Sequence, residues 1–187
     1  MNDIVIRAAT PADLPAITEI YADAVRLGTA TFELDPPDQA EMGWRMARLA
    51  AGNFPYLVAL RDGELLGYAY AGPYRDRPAY RFTVEDSIYL APSAQRSGVG
   101  RLLLTELIVG CEQRGFRQVV AVIGDTANTA SIALHRSAGF RMTGTLTDVG
   151  YKFGRWLDCI LMQRTLGDGG SSAPMHEKYK SINSPQA

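Results

Sequence analysis

Cysteine is scarce, long apolar runs are missing and neither sign of charge dominates in this 187-residue sequence. Its two cysteines, Cys111 and Cys159, are too few for a disulfide framework, so we expect free thiols in a reducing cytoplasm. No apolar run approaches the ~20 residues of a membrane span, and the N-terminus has no signal-peptide core. The net charge of −1 argues against a nucleic-acid partner, which usually requires a basic face. We therefore expect a cytoplasmic protein with neither a membrane nor a nucleic-acid partner.

The domain organisation is expected to be simple, because the sequence has no internal repeat and no second region of different composition. Residues 1–166 are long enough, and at 47% hydrophobic content in the whole chain apolar enough, to bury one core. Residues 167–187 are rich in Gly, Ser, Pro and charge and have almost no core-forming side chains. We expect them to form a mobile C-terminal tail.

Apolar periodicity and turn residues predict the element order β-α-α-β-β-β-α-β-α-β-β. Thr10–Asp13 is a variant capping box before a first helix that ends at Gly28. A second helix is expected from about Asp35 to Gly52, and Asp62-Gly63 predicts a tight hairpin between two strands. Strand runs followed by β-α-β units are typical of a mixed sheet with helices on both faces, which is an α/β architecture.

The strongest functional signal lies between Val84 and Leu104, where a strand ends and the turn Gln95–Gly100 opens a helix. Backbone N–H groups and the partial positive charge of the helix N-terminus favour phosphate at such a turn. Glycine allows phosphate oxygens to approach the backbone. A P-loop is excluded because no Lys follows the glycines, and a dinucleotide fingerprint is excluded because Leu103 occupies the third glycine position. An ordinary strand-to-helix turn remains the alternative on these six residues alone.

In its context this turn resembles the pyrophosphate loop of the GNAT N-acetyltransferase superfamily. Glu85 on the fourth strand and the helix segment Asn128–Phe140, with its Asn, Ser, Leu and Gly-Phe, lie in the superfamily's order. The resemblance extends from Ile4 to Arg164. It implies a GNAT fold with a mixed, mostly antiparallel seven-stranded sheet, acetyl-CoA as the cosubstrate and no metal.

Two further features resemble the phosphinothricin and methionine sulfoximine acetyltransferases. His135 occupies a position where the superfamily more often has Tyr, and Gly150–Asp158 resembles their Gly-x-Lys-x-Gly-x-Trp-x-Asp signature. This resemblance implies N-acetylation of the α-amine of a small amino acid or toxic analogue, such as phosphinothricin, methionine sulfoximine or methionine sulfone. It also implies a homodimer.

The expected reaction needs a base, because an α-amine is largely protonated near neutral pH. Glu85 is the candidate; strand alternation sends Asp86 to the opposite face, so only one of the two carboxylates points into a cleft. His135 is the candidate to give a proton or hydrogen bond to the departing CoA thiolate. The alternatives are a solvated strand carboxylate for Glu85 and a structural histidine for His135.

The resemblance also implies the residues that bind the two substrates. Backbone N–H groups near the end of the fourth strand would stabilise the oxyanion, and the helix segment would hold the pantetheine arm. The expected acetyl-CoA contacts are Ile88, Tyr89, Leu90, Gln95, Arg96, Ser97, Gly98, Val99, Gly100, Arg101, Asn128 and Ser131. Besides Glu85, the expected amino-acid contacts are Phe32, Glu33, Tyr74, Arg75, Arg77 and Arg81, since a guanidinium can grip a carboxylate bidentately.

Two other functions remain open at this point. The same scaffold could acetylate a protein N-terminus, an aminoglycoside or another small amine, although an arginine-rich loop disfavours a polycationic aminoglycoside. A non-catalytic acyl-CoA sensor is the second alternative. A sensor needs neither Glu85 nor His135, so the presence of both favours catalysis.

Overall fold

A computed structural model describes residues 3–174, which form seven β-strands and four α-helices in the predicted order. The strands are β1 (Val5–Ala8), β2 (Tyr56–Arg61), β3 (Glu64–Pro73), β4 (Thr83–Leu90), β5 (Gln118–Gly124), β6 (Arg141–Lys152) and β7 (Arg155–Thr165). The helices are α1 (Leu14–Leu27), α2 (Gln39–Ala51), α3 (Val99–Gln113) and α4 (Thr129–Ser137). Within residues 3–174, no helix is both long enough and apolar enough to cross a bilayer.

The strands lie side by side in the order β1-β2-β3-β4-β5-β7-β6. Of the pairings among the described strands, β4 with β5 is parallel and the others are antiparallel. This is the mixed, mostly antiparallel sheet that the resemblance implied. The parallel pair follows from the chain path, because α3 carries the chain from the end of β4 back to the start of β5.

Helices cover both faces of the sheet, and on each face helix and strand side chains pack into a hydrophobic core. On one face, Ile17 and Val25 of α1 pack with Val58 of β2 and Tyr68 of β3. On the other face, the buried leucines of α3 pack against the strands, with Val84 of β4 among them. Strand β4 therefore separates the two cores, and successive β4 side chains enter different environments.

The two N-terminal helices begin where side chains satisfy free backbone N–H groups. The Asp13 carboxylate accepts from Thr10 N at 2.7 Å, as the predicted capping box requires, and a short 3-10 turn leads into α1. Helix α2 begins at Gln39, later than predicted. Its cap is Asp38, whose side chain accepts from Glu41 N at 2.8 Å, so the two preceding prolines lie outside the helix.

The apolar pattern of the sequence predicts the last two strands from Phe140 to Leu146 and from Lys152 to Gln163, and the observed β6–β7 hairpin differs from this prediction. The strands turn instead at Phe153 and Gly154, with φ angles of 52° and 75°. Two consecutive positive φ angles fit a two-residue hairpin turn. Lys152 consequently belongs to β6, and register shifts between Met142 and Gly144 and between Leu146 and Gly150 absorb the extra length.

The expected tail begins with ordered turns. Asp168 lies 3.5 Å from the Arg117 guanidinium, Gly169 N donates to Leu166 O, and Ser171 N donates to Asp168 O. These contacts differ from the expectation of a mobile segment that starts at residue 167. The rest of that expected tail, residues 175–187, lies outside the described residues.

Candidate functional site

Strands β4 and β5 are paired over the first half of β4 and then separate, which leaves a cleft between them. The paired register ends at Asp86 and Ala121, although β4 continues to Leu90 and β5 to Gly124. Ala91 N donates to Leu66 O towards β3. By strand alternation, the N–H groups of Ile88 and Leu90 point the other way, into the cleft. These donors can bind an oxyanion or an amide of a ligand that enters the cleft.

Tyr89 differs from its two neighbours. It lies opposite Tyr68 in the antiparallel β3–β4 register, so its N–H points towards β3 rather than into the cleft. Its ring packs edge-on against Tyr21, with centroids 4.9 Å apart. The expected contact between Tyr89 and acetyl-CoA is therefore not one that its backbone N–H can make.

The turn before α3 has the geometry of an anion-binding loop. Gly98 is the N-cap with φ 88°, and the preceding Arg96 also has a positive φ of 58°. A Cβ at Gly98 would meet nothing within 4 Å, so its backbone faces open space. The side chains of Gln95, Arg96, Ser97 and Arg101 are exposed, while Val99 is buried. A 15-residue helix that begins at such a loop favours phosphate at its N-terminus.

Gly100 lies in more enclosed surroundings than Gly98. It is buried, and a Cβ there would lie 3.4 Å from the side chains of Leu134 and Leu90. A Cβ at Gly100 would thus contact side chains of α4 and β4 at the short end of ordinary van der Waals distance, and the expected contact of Gly100 with acetyl-CoA stays a prediction. Of the two glycines, Gly98 is the one that faces open space.

On the face of the sheet that α1 and α2 cover, these two helices and the central strands surround a cavity of about 440 Å³. Glu85 and Ser87 of β4 lie at its floor, because both point to this face. Its walls are largely tyrosine and α2 side chains. The lining consists of Tyr21, Glu41, Met42, Trp44, Arg45, Arg48, Leu49, Tyr56, Tyr68, Tyr70, Gly72, Pro73, Glu85 and Ser87.

The surroundings of Glu85 raise the pKa of its carboxyl group. Burial and, secondarily, the neighbouring Asp86 charge raise its pKa to about 7, against a smaller lowering by Arg75. A carboxylate with a pKa near the working pH can both accept and release a proton. Glu85 thus lines the cavity, and its role as the base stays a prediction.

His135 and Asp86 form a buried pair on the other side of β4. His135 Nε2 lies 2.9 Å from Asp86 Oδ2, and Nδ1 lies 2.8 Å from Ser131 O. A carboxylate and a carbonyl only accept, so both ring nitrogens carry a proton. Burial alone would lower the pKa of His135, but the hydrogen bond and charge of Asp86 outweigh it and raise that pKa.

The structure therefore does not bring His135 and Glu85 together. His135 is buried on the α4 face, and its ring nitrogens are occupied by Asp86 and Ser131. Its role as a proton donor to the thiolate stays a prediction. Sequence reasoning did place Asp86 on the face opposite Glu85, but it missed the pairing with His135, which lies 49 residues away.

Asn128 and Ser131 lie at the start of α4, next to this pair. Asn128 is the N-cap, and its Oδ1 accepts from Ser131 N at 3.2 Å. Ser131 Oγ lies 3.3 Å from His135 Nδ1. Asn128 therefore caps α4, and its contact with pantetheine stays a prediction.

The predicted acceptor residues are divided between two places. Glu33 bonds Arg45 Nη1 at 2.7 Å, so the loop between α1 and α2 touches the cavity lining. Phe32 is 36% exposed on the same loop. Sequence reasoning missed Arg45 and Arg48, although Glu41, Arg45 and Arg48 follow one another at helical spacing on one face of α2, a signal that could have found them.

The loop before β4 lies at the edge of the site rather than in the cavity lining. Arg75, Arg77 and Arg81 are exposed, and none of the three lines the cavity. The Arg75 guanidinium lies 5.1 Å from the centroid of the Tyr74 ring, which packs edge-on against Tyr80. Arg75 is close enough to Glu85 to lower its pKa, so it is the loop arginine that the structure links to Glu85.

Comparison with known families gives one domain model, described as acetyltransferase (GNAT) family, which matches residues 14–140. The chain is 56% identical over 169 residues to the phosphinothricin N-acetyltransferase of Alcaligenes faecalis, covering 90% of this chain and 86% of that protein. It is 44% identical over 171 residues to the L-methionine sulfoximine/L-methionine sulfone acetyltransferase of Pseudomonas paraeruginosa, covering 90% of this chain and 98% of that one.

A solved structure is similar over almost the whole chain. It is the phosphinothricin acetyltransferase of Sinorhizobium meliloti in complex with acetyl-CoA, with a TM-score of 0.92 and 48% sequence identity. The match covers 96% of this chain and 97% of that chain.

Proposed function

The chain belongs to the acetyltransferase (GNAT) family, and on that premise we propose that it transfers acetyl from acetyl-CoA to the α-amine of a small amino acid or amino-acid analogue. The observation that carries the proposal is Glu85, a half-buried carboxylate with a pKa of about 7 on the wall of the cavity beside the β4–β5 cleft. The similarity to acetyltransferases of phosphinothricin and methionine sulfoximine or sulfone supports this acceptor class.

In the proposed reaction the acceptor enters as an ammonium and loses a proton to the Glu85 carboxylate, directly or through water. The free amine then attacks the thioester carbonyl of acetyl-CoA. The N–H groups of Ile88 and Leu90, directed into the cleft, support a role in binding the developing oxyanion. The C–S bond breaks, and the nitrogen loses its second proton as the amide forms. A proton passes to the thiolate, so that CoA leaves as the thiol.

Acetyl-CoA would be held by the residues around the α3 turn. We propose phosphate contacts from the turn Gln95–Gly100 and from the guanidinium of Arg101, with Gly98 open to solvent. The pantetheine arm would run along the end of β4 towards Asn128 and Ser131. The cosubstrate supplies the activated acetyl group, and the protein supplies its orientation.

A cation is needed to bind the carboxylate of the acceptor. It must lie near the reacting amine, because both groups are attached to the same carbon. We propose Arg75, whose charge reaches Glu85, with Arg77, Arg81, Tyr74 and Tyr80 completing this rim of the site. Phe32 and Glu33 would form the opposite rim. The tyrosine-lined cavity would take the side chain of the acceptor; its Tyr68 hydroxyl is buried and has no protein partner among residues 3–174.

Thiol release from acetyl-CoA tests the function. The assay compares free amino acids, their sulfone, sulfoximine and phosphinate analogues, an N-terminal peptide and an aminoglycoside. We expect turnover with small amino acids or analogues that carry a free carboxylate, and loss of turnover when that carboxylate is amidated. Turnover only with peptides would favour protein N-termini. Tight acetyl-CoA binding without turnover on any amine would favour a sensor.

We also propose that the protein is a homodimer. Six large apolar side chains on the β6–β7 hairpin are 47–60% exposed: Met142, Leu146, Val149, Tyr151, Phe153 and Trp156. Strand β6 is also an edge strand. Monomers rarely expose large contiguous apolar patches, and exposed apolar side chains such as these are typical of interaction sites. A stable dimer remains associated at micromolar protein concentration. Sedimentation of a single ~20 kDa species at that concentration would therefore contradict the dimer.

The cytoplasm is the compartment that we propose. Cys111 and Cys159 are both free and buried, which supports this proposal because thiols stay reduced in the cytoplasm. Fractionation of expressing cells with an antibody against the chain would test it.

A further inference from the structure

The chemistry proposed above uses no residue of the motif Gly150–Asp158. This motif spans the end of β6, the turn at Phe153 and Gly154, and the start of β7. Two of its residues contact the loop between α1 and α2, which carries Phe32 and Glu33. The motif thus links the hairpin to a rim of the proposed acceptor site.

Lys152 makes the central contact. Its side chain is buried, at 3% exposure, and Nζ donates to Gly28 O and to Thr31 O, each at 2.9 Å. Among residues 3–174 it forms no ion pair with a carboxylate. Burial lowers the pKa of this ammonium, and Glu33 opposes the change. Burying a cation against two carbonyls is costly, so its presence needs a reason beyond filling space.

Phe32 fills a slot that exists because two residues lack a side chain. A Cβ at Gly150 would lie 2.4 Å from the Phe32 ring, and one at Gly124 would lie 2.8 Å from it. Gly150 belongs to β6, and Gly124 ends β5 at the open end of the β4–β5 cleft. The same hairpin therefore bonds the loop through Lys152 and seats its aromatic side chain through Gly150.

The loop in turn holds two side chains of the cavity. Thr31 Oγ1 lies 3.1 Å from the Tyr21 hydroxyl, and Glu33 Oε1 accepts from Arg45 at 2.7 Å. Tyr21 and Arg45 both line the cavity. Contacts therefore run from Lys152 through the loop backbone to two walls of the cavity.

We propose that Lys152 is a positioning residue for the acceptor site, which it shapes by holding residues 28–33 against the β6–β7 hairpin. The proposal rests on the proposed function, because it assumes that the cavity beside Glu85 takes the acceptor. Lys152 does not touch the reacting atoms. Through the loop, it fixes the positions of the Phe32, Tyr21 and Arg45 side chains.

Lys152→Met tests this, because it keeps most of the stem and removes both N–H donors. We expect the KM of the acceptor to rise about 10-fold or more, since misplacement from a remote mutation can cost 10²-fold. The KM of acetyl-CoA should stay within about twofold, and amide exchange over residues 28–33 should quicken about 10-fold. Arg141→Met, which removes a cation from the far end of the same strand, is the matched control and should change none of these.

Unchanged amide exchange over residues 28–33 would overturn the proposal. An equal rise in both KM values with faster exchange across the whole sheet would also overturn it, since that is a general loss of stability. If Lys152→Met does not fold, Lys152→Gln replaces it; the shorter amide cannot span both carbonyls, so the same outcomes decide. A wild-type protein inactive on every acceptor would refute the proposed function, and the exchange measurement would then decide only whether Lys152 holds residues 28–33 against the hairpin.

Discussion

Asp86 and His135 meet 2.9 Å apart in a buried pair on the face of β4 that is turned away from Glu85. Two consecutive carboxylates of one strand thereby have separate environments. Asp86 is paired with a cation between β4 and α4, whereas Glu85 borders a cavity without a cationic partner in hydrogen-bond contact among residues 3–174. The negative charge of Asp86 nevertheless contributes to the raised pKa of Glu85.

Glu85→Gln should remove the base while keeping the shape of the side chain. We expect turnover to fall by about 10²–10⁴-fold with little change in acetyl-CoA affinity. The loss should shrink as pH rises, because free amine then forms without help. Steady-state rates between pH 6 and 10, with acetyl-CoA affinity from calorimetry, would check this. A raised acceptor KM with normal kcat would mean instead that Glu85 only holds the ammonium.

Asp86→Asn should change the pH dependence of the reaction. In the wild type, kcat/KM should fall below about pH 7, where Glu85 becomes protonated. Removing the like charge of Asp86 lowers the pKa of Glu85, so the base stays ionised at lower pH and the acid limb should move to lower pH. The Asn amide can accept from a protonated His135 Nε2 or donate to an unprotonated one, which preserves the contact with α4. An acid limb at its wild-type position would show that Asp86 does not influence Glu85.

Gly98→Val should weaken acetyl-CoA binding. Gly98 has φ 88°, and holding a residue with a Cβ in a left-handed conformation costs about 1–2 kcal/mol. We expect about a 10-fold loss of affinity, which corresponds to ~1.4 kcal/mol. Gly63→Val is the matched control, because Gly63 has φ 84°, equally open surroundings and a place in the β2–β3 turn. Equal affinities of the wild type and Gly98→Val would refute the phosphate assignment.

Two truncations should behave differently. A chain that ends at residue 174 should keep its melting temperature, because residues 175–187 have too few apolar side chains to repay ordering. A chain that ends at Leu166 loses the contacts of Asp168 with Arg117 and of Gly169 with Leu166, so its melting temperature should fall by about 4 °C per kcal/mol lost. Differential scanning fluorimetry measures both, and equal melting temperatures would contradict the structural role of residues 167–174.

Much of the fold and of the candidate site could be predicted from interactions between residues that are close in sequence. The period of two in β4 places Glu85 and Asp86 on opposite faces whatever the rest of the fold does. The turn before α3 and the cap at Asn128 likewise depend on residues within a few positions of each other. The element order and the family resemblance could therefore be predicted from the sequence. The start of α2 and the turn of the β6–β7 hairpin could not, since alternative caps and turn positions lay within a few residues.

The sequence by itself determined which residue types stand on which face of each element, because side-chain direction repeats every 2 residues in a strand and every 3.6 in a helix. Only the tertiary structure decided which of those faces meet. His135 bonds a carboxylate 49 residues away, and Lys152 bonds carbonyls 121 and 124 residues away. Such partners are chosen by the packing of helices and hairpin across the sheet, and no local pattern encodes that packing.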